Sequence, residues 1–139
     1  MDVIKEGVIK FRRQHRTTQS LDKKEIGELN NWREILLNKG LIGQDATRYN
    51  GYGFGNLSKR IEPFTAPINK RKFLITGTQT GNIKRIREEH YCIVHEYYPK
   101  KNLITSEGPI EPSSESMTHG TIYDISEDYR YVFHVHSPD

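Results

Sequence analysis

Cysteine is almost missing from this sequence: Cys92 is the only one in 139 residues. An intrachain disulfide is therefore excluded, as is any C-x-x-C metal or redox pair, and a reducing, cytoplasmic setting is expected. Long apolar runs are missing too. No stretch approaches the ~20 residues of a membrane span, and the charged first ten residues offer no apolar segment of a signal peptide. A strong charge excess is absent, with 21 Lys and Arg against 18 Asp and Glu, a net +3. That suits a small anionic ligand at a local patch and does not call for nucleic acid. The basic residues Lys70, Arg71, Lys72, Lys84, Arg85 and Arg87 carry no interleaved aromatics of the kind that stack on single strands, and such runs are commonly solvated faces. There is no internal repeat, Walker A pattern, G-x-S-x-G elbow or H-E-x-x-H pair.

What is present fits one domain spanning 1–139, a length in the usual domain range. Residues 2–12 read as a short helix with Val3, Ile4, Val8 and Phe11 on one side, and residues 12–20 as a polar loop. Asp22 followed by Glu25 reads as a capping box. Ile26, Leu29, Trp32, Ile35 and Leu36 then form a helical core stripe, and Gly40 stands where a C-terminal cap belongs. Residues 52–60, 71–76 and 91–98 read as strands, 102–105 as a short edge strand, and 82–89 as a helical turn. A second helix is expected to start near Ser113 or Ser114, with Met117, Thr121, Ile122 and Ile125 as its apolar side and Gly120 in close packing. Residues 130–136 make a last strand, expected inside the sheet. The order implies an α/β fold with helices on a mixed sheet.

Four segments carry possible chemistry. His134 and His136, at i and i+2 on a strand, project to one face and could share a metal at ~2.0–2.1 Å, or simply be strand histidines. Ser113, Ser114 and Glu115 at a helix start can cradle an anion, with Glu115 placed for proton transfer; plain capping is the commoner use of such residues. In the Gly-rich stretch 51–60, Asn56, Ser58 and Arg60 can donate to a phosphate, or the stretch is a kinked edge strand. The run 76–81, Thr-Gly-Thr-Gln-Thr-Gly, is an anion nest or a turn. His15 lies in a polar loop, and His90 and His95 read as structural; His119, on the same helix face as Glu115, could stand behind the site residues, though a core or surface histidine is the commoner case, and Cys92 reads as inert.

Taken in order, Gly55-Asn56-Leu57-Ser58, Phe73-Leu74-Ile75-Thr76, Pro112-Ser113-Ser114-Glu115 and His134-Val135-His136 resemble the class II aldolase/adducin family. The resemblance implies a three-layer α/β/α sandwich around a mixed, mainly antiparallel sheet, a homo-oligomer (usually a tetramer), and zinc or another divalent metal. It places phosphate binding on Gly55, Asn56, Thr78, Gly81, Ser113 and Ser114, metal binding on His134, His136 and Glu115, and acid/base catalysis on Glu115. The implied activity is that of a fuculose-phosphate aldolase-like lyase or an epimerase, acting on a sugar or sugar phosphate through a metal-stabilised enediolate. The alternative is a non-catalytic, adducin-like assembly module or a truncated inactive homologue. The family's third metal histidine lies further downstream than His136, so a domain incomplete at its C-terminus is expected.

Overall fold

The computed structural model describes residues 11–19, 21 and 23–137, apart from the side chains of Lys23 and Asn50. The helix expected over 2–12 and the Asp22 capping box fall, but for residues 11 and 12, outside these residues. Among the described residues eight strands and two α-helices follow in order: β1 (Arg12–Thr17), α1 (Lys23–Asn38), β2 (Gly43–Gln44), β3 (Gly53–Phe54), β4 (Asn56–Arg60), β5 (Phe73–Thr76), β6 (Tyr91–Tyr98), β7 (Leu103–Gly108), α2 (Ser116–Tyr123) and β8 (Tyr131–His134). Six strands form one mixed sheet in the order β1-β7-β6-β5-β4-β8, and β2 and β3 pair separately. Every neighbour pair in the large sheet is antiparallel except β1 with β7. No described helix is long and apolar enough to cross a membrane.

Strand alternation divides the core. Phe73 and Ile75 of β5 join Val94, Tyr97, Ile104 and Tyr123 in one buried cluster, while Leu74 between them joins Ile26, Leu29, Leu57 and Tyr91 in another. Successive side chains of a strand point to opposite faces, so one short run, Phe73-Leu74-Ile75, feeds both clusters. Helix α1 supplies Ile26 and Leu29 to the second cluster, and α2 supplies Tyr123 to the first.

Helix α1 ends as its sequence predicts. Gly40 takes a left-handed φ of +72°. Leu41 N–H donates to Leu36 O and Gly40 N–H to Leu37 O, both at 3.1 Å, which is a Schellman closure. The buried stripe differs from the expected one. Ile26 and Leu29 are buried as read, but Trp32 and Ile35 are 43% and 45% exposed, and Arg33 is buried in their place. A face at i, i+3, i+7 passes through 26, 29 and 33, leaving Trp32 on the flank against Phe133, with ring centroids 5.7 Å apart.

Four expectations are corrected. Residues 12–17 are a strand and not a loop; β1 pairs in parallel with β7 from Arg12 opposite Leu103 to Thr17 opposite Gly108. The strand near 102–105 is therefore interior, between β1 and β6, and longer than read. Strand β8 stands at the sheet edge among the described residues, with β4 its only neighbour there. Within 82–89, only Glu88–His90 begins a short 3-10 turn.

Candidate functional site

Three separated segments meet at one end of β4 and β5. A concavity there is lined by Gly53, Gly55, Asn56, the residues 77–81, Ser113 and Ser114. All six residues read from the sequence as an anion cradle, namely Gly55, Asn56, Thr78, Gly81, Ser113 and Ser114, fall on its walls. Strand pairing accounts for the meeting. Gly77 bridges Pro112, Ser113 N–H donates to Thr76 O at 3.1 Å, and Thr78 N–H donates to Glu111 O at 2.9 Å. The chain before α2 is thus stitched to the end of β5. Gly55 enters β4 at φ +80°, where a Cβ would stand 2.3 Å from Ile42 Cγ2, so the conformation and the space both require glycine.

The 77–81 loop is held from below. Buried Arg33 of α1 donates to Thr80 O at 2.9 Å and to Lys84 O at 3.2 Å, and Thr80 Oγ1 donates back to Gly77 O at 3.0 Å. Burial lowers the Arg33 pKa from its ordinary value, yet a guanidinium stays charged. An arginine in the middle of an amphipathic helix reads as surface, so nothing in its residue type marks this anchor. Lys84, Arg85 and Arg87 line a different surface groove beside α1 and not the cradle.

Of the donors offered by residues 51–60, only Asn56 faces the cradle. Ser58 and Arg60 are buried and committed inward, Arg60 to Lys72 O and Pro63 O. Beneath Asn56 lies a chain of buried hydrogen bonds. Asn56 Oδ1 is 2.5 Å from His119 Nε2, His119 Nδ1 is 2.6 Å from Ser58 Oγ, and Ser58 Oγ is 2.7 Å from Tyr123 Oη. Burial, with the nearby His134 as the smaller cause, lowers the His119 pKa to about 3, so its ring is neutral. The buried residues of α2 are Ser116, His119, Gly120 and Tyr123. They follow i, i+3, i+4, i+7, a core spacing that polar residue types disguise in the sequence. Ile125, expected on that face, is 71% exposed, while Met117 and Ile122 are half-buried at its margin.

The histidine pair sits next to the cradle. Asn56 pairs with His134 across the β4–β8 ladder, so their side chains share a face. The rings of His134 and His136 lie 4.7 Å apart. His136 N–H donates to Leu41 O at 2.8 Å, and its ring packs against Tyr49 and Phe54. His134 Nδ1 is buried and meets no hydrogen-bond partner among the described residues, the condition of a nitrogen awaiting a ligand. Two imidazoles at this spacing offer the nitrogen donors that suit a zinc-type ion. Among the described residues no third His, Cys, Asp or Glu joins them as a group. His119 does not, because both its nitrogens are engaged. Glu115, and not Ser113 or Ser114 as expected, stands at the N-cap of α2, with no side-chain cap bond. Its N–H donates to Ser113 Oγ at 3.2 Å, and its Oε2 accepts weakly from Thr118 Oγ1 at 3.4 Å.

His90 and His95 have structural partners, as read from the sequence, the Arg87 N–H and Glu107; His15, read as lying in a polar loop, instead sits in β1 and bonds Ser106 and Gly108. Cys92 is fully buried.

Residues 44–139 match the family described as Class II Aldolase and Adducin N-terminal domain. No curated protein and no solved structure matches the chain significantly.

Proposed function

The chain belongs to the Class II Aldolase and Adducin N-terminal family, and from that premise we propose a metal-dependent lyase or epimerase-like protein for a small hydroxy-carbonyl compound carrying a phosphate. One observation carries the reading: an anion-type cradle built from three chain segments adjoins a histidine pair, joined to it by the Asn56–His134 strand partnership. The three-layer sandwich expected of the family is supported by the two core clusters, each closed by its own helix.

The residues divide the work. Asn56, Thr78, Ser113 and Ser114 offer small polar groups on the cradle wall, suited to phosphate oxygens, while Gly55 and Gly81 admit close backbone approach. A phosphate fixed there is positioned against the imidazoles, which lowers the entropic part of the barrier. His134 and His136 would hold the divalent metal; when bound, it supplies Lewis-acid stabilisation of negative charge developing beside a carbonyl. Glu115, at the opening of α2 and half-buried, is the carboxylate available to take and return a proton. A homo-oligomer is part of the same proposal.

The rival reading is a non-catalytic assembly module of the adducin kind. It draws support from the gathering of only two candidate ligands, without a third, among the described residues. Metal analysis of the purified protein, paired with phosphate titration, separates the two. Near-stoichiometric zinc that is lost in a His134→Ala/His136→Ala variant supports the first. A metal-free protein whose phosphate affinity the double variant leaves unchanged eliminates it.

A further inference from the structure

His119 has no place in the chemistry above, yet it is a fully buried polar side chain with both ring nitrogens committed. An unsatisfied polar ring in a core is costly, so each of those bonds has a direction to be assigned. The Asn56 amide oxygen, which can only accept, is 2.5 Å from His119 Nε2, so that nitrogen carries the proton of the neutral imidazole. His119 Nδ1 then accepts from Ser58 Oγ–H, and Ser58 Oγ accepts from Tyr123 Oη–H. An amide whose oxygen is taken from below turns its NH2 end toward the cradle that Asn56 lines.

We propose that His119 is a positioning residue for the cradle: through its Nε2–H it locks the Asn56 side chain with the amide nitrogen toward the ligand. The inference rests on the anion-cradle reading and adds what makes the cradle selective. With Asn56 locked, its side chain offers two donors and no acceptor, so it welcomes phosphate oxygens and rejects a group that must donate. Unlocked, the same amide could turn its oxygen to the ligand and repel an anion. His119 touches neither ligand nor metal in this role; it acts through Asn56.

Two measurements on the full chain test this. Nitrogen-15 correlation spectra of the histidines at neutral pH should show His119 as the Nε2–H tautomer; an Nδ1–H tautomer overturns the proposal, because the chain of bonds would then run the other way. Titration with inorganic phosphate then compares two variants. His119→Gln keeps an amide donor near the Nε2 position, and His119→Leu removes it. The expected result is about ten-fold weaker phosphate binding for the Leu variant, the scale of one hydrogen bond to a charged group, and near-native binding for the Gln variant. Equal loss in both, or no loss in either, overturns it. Should the Leu variant fail to fold, the tautomer and the Gln variant still decide. Should the wild-type protein bind no phosphate, the cradle reading falls, while the tautomer still decides whether His119 orients Asn56.

Discussion

Asn56 and His134 stand opposite each other across β4 and β8. A side chain of the candidate anion cradle and a candidate metal ligand are thereby fixed by one backbone ladder. Strand partners keep side chains ~4.5–5.5 Å apart at Cβ, so the two halves of the site cannot drift independently. Loops arrange the rest: Arg33 holds 77–84 from one side, and the Gly77–Pro112 bridge holds Ser113 from another.

Replacing either histidine should disable metal binding on its own. In His134→Ala or His136→Ala, zinc retained after dialysis, read by elemental analysis, should fall to background, because a single imidazole does not hold the ion against water. A single variant that keeps native zinc content would show that its imidazole is not a ligand.

Arg33→Met should loosen the cradle without touching it. The variant keeps the aliphatic stem but loses charged hydrogen bonds to Thr80 O and Lys84 O. A loss of about 2–3 kcal/mol is expected in urea denaturation, since Lys84 O loses its Arg33 donor and Thr80 O keeps only the Ile83 N–H. Amide exchange should accelerate in residues 77–84 more than in β6.

Two glycines in helices should respond with opposite sign. At Gly120 a Cβ would lie 2.5 Å from the Tyr97 ring, and Gly120→Ala should cost about 1–3 kcal/mol through overpacking. This bears out the close packing read from its position. At Gly27 in α1 a Cβ meets nothing within 4 Å, and Gly27→Ala should gain roughly 0.5–1 kcal/mol. Thermal melts of both variants check the contrast.

His119 makes the fold acid-sensitive with a definite sign. Its pKa falls from 6.5 to about 3 on folding, chiefly by burial. Below about pH 6.5 the unfolded chain takes a proton that the folded chain refuses, so stability is full above that pH. It then declines by up to about 1.4 kcal/mol per pH unit as pH falls toward about 3, below which this group adds no further loss. Urea midpoints measured in EDTA from pH 7 to 4 should show the decline, and His119→Gln should flatten it.

Cys92 should resist alkylation in the native protein. Burial first of all raises its thiol pKa to about 12, so almost no thiolate exists at pH 8. Iodoacetamide should label it only after unfolding in urea; native labelling at the unfolded rate would contradict the burial.

The sequence marked the elements whose local chemistry matches their final state. The cap at Gly40, the apolar strand 73–76 and the second helix are legible because a left-handed cap, a two-faced burial pattern and a helical start each leave a residue-level mark. So are the cradle segments, whose glycines, hydroxyls and Asn56 suit close approach by an anion wherever they fold. Strand β1 left no mark. Its residues Arg-Arg-Gln-His-Arg-Thr are mostly exposed, and backbone pairing with β7 makes the strand without help from side-chain pattern. The same holds for Arg33 and His119, whose burial is paid by partners distant in the chain: Thr80 and Lys84 for one, Asn56 and Ser58 for the other. Residue type alone determined which groups the candidate cradle could offer a ligand. Only the tertiary structure decided which side chains face it and which hold it, because a buried polar group is stable only where the fold delivers its hydrogen-bond partner.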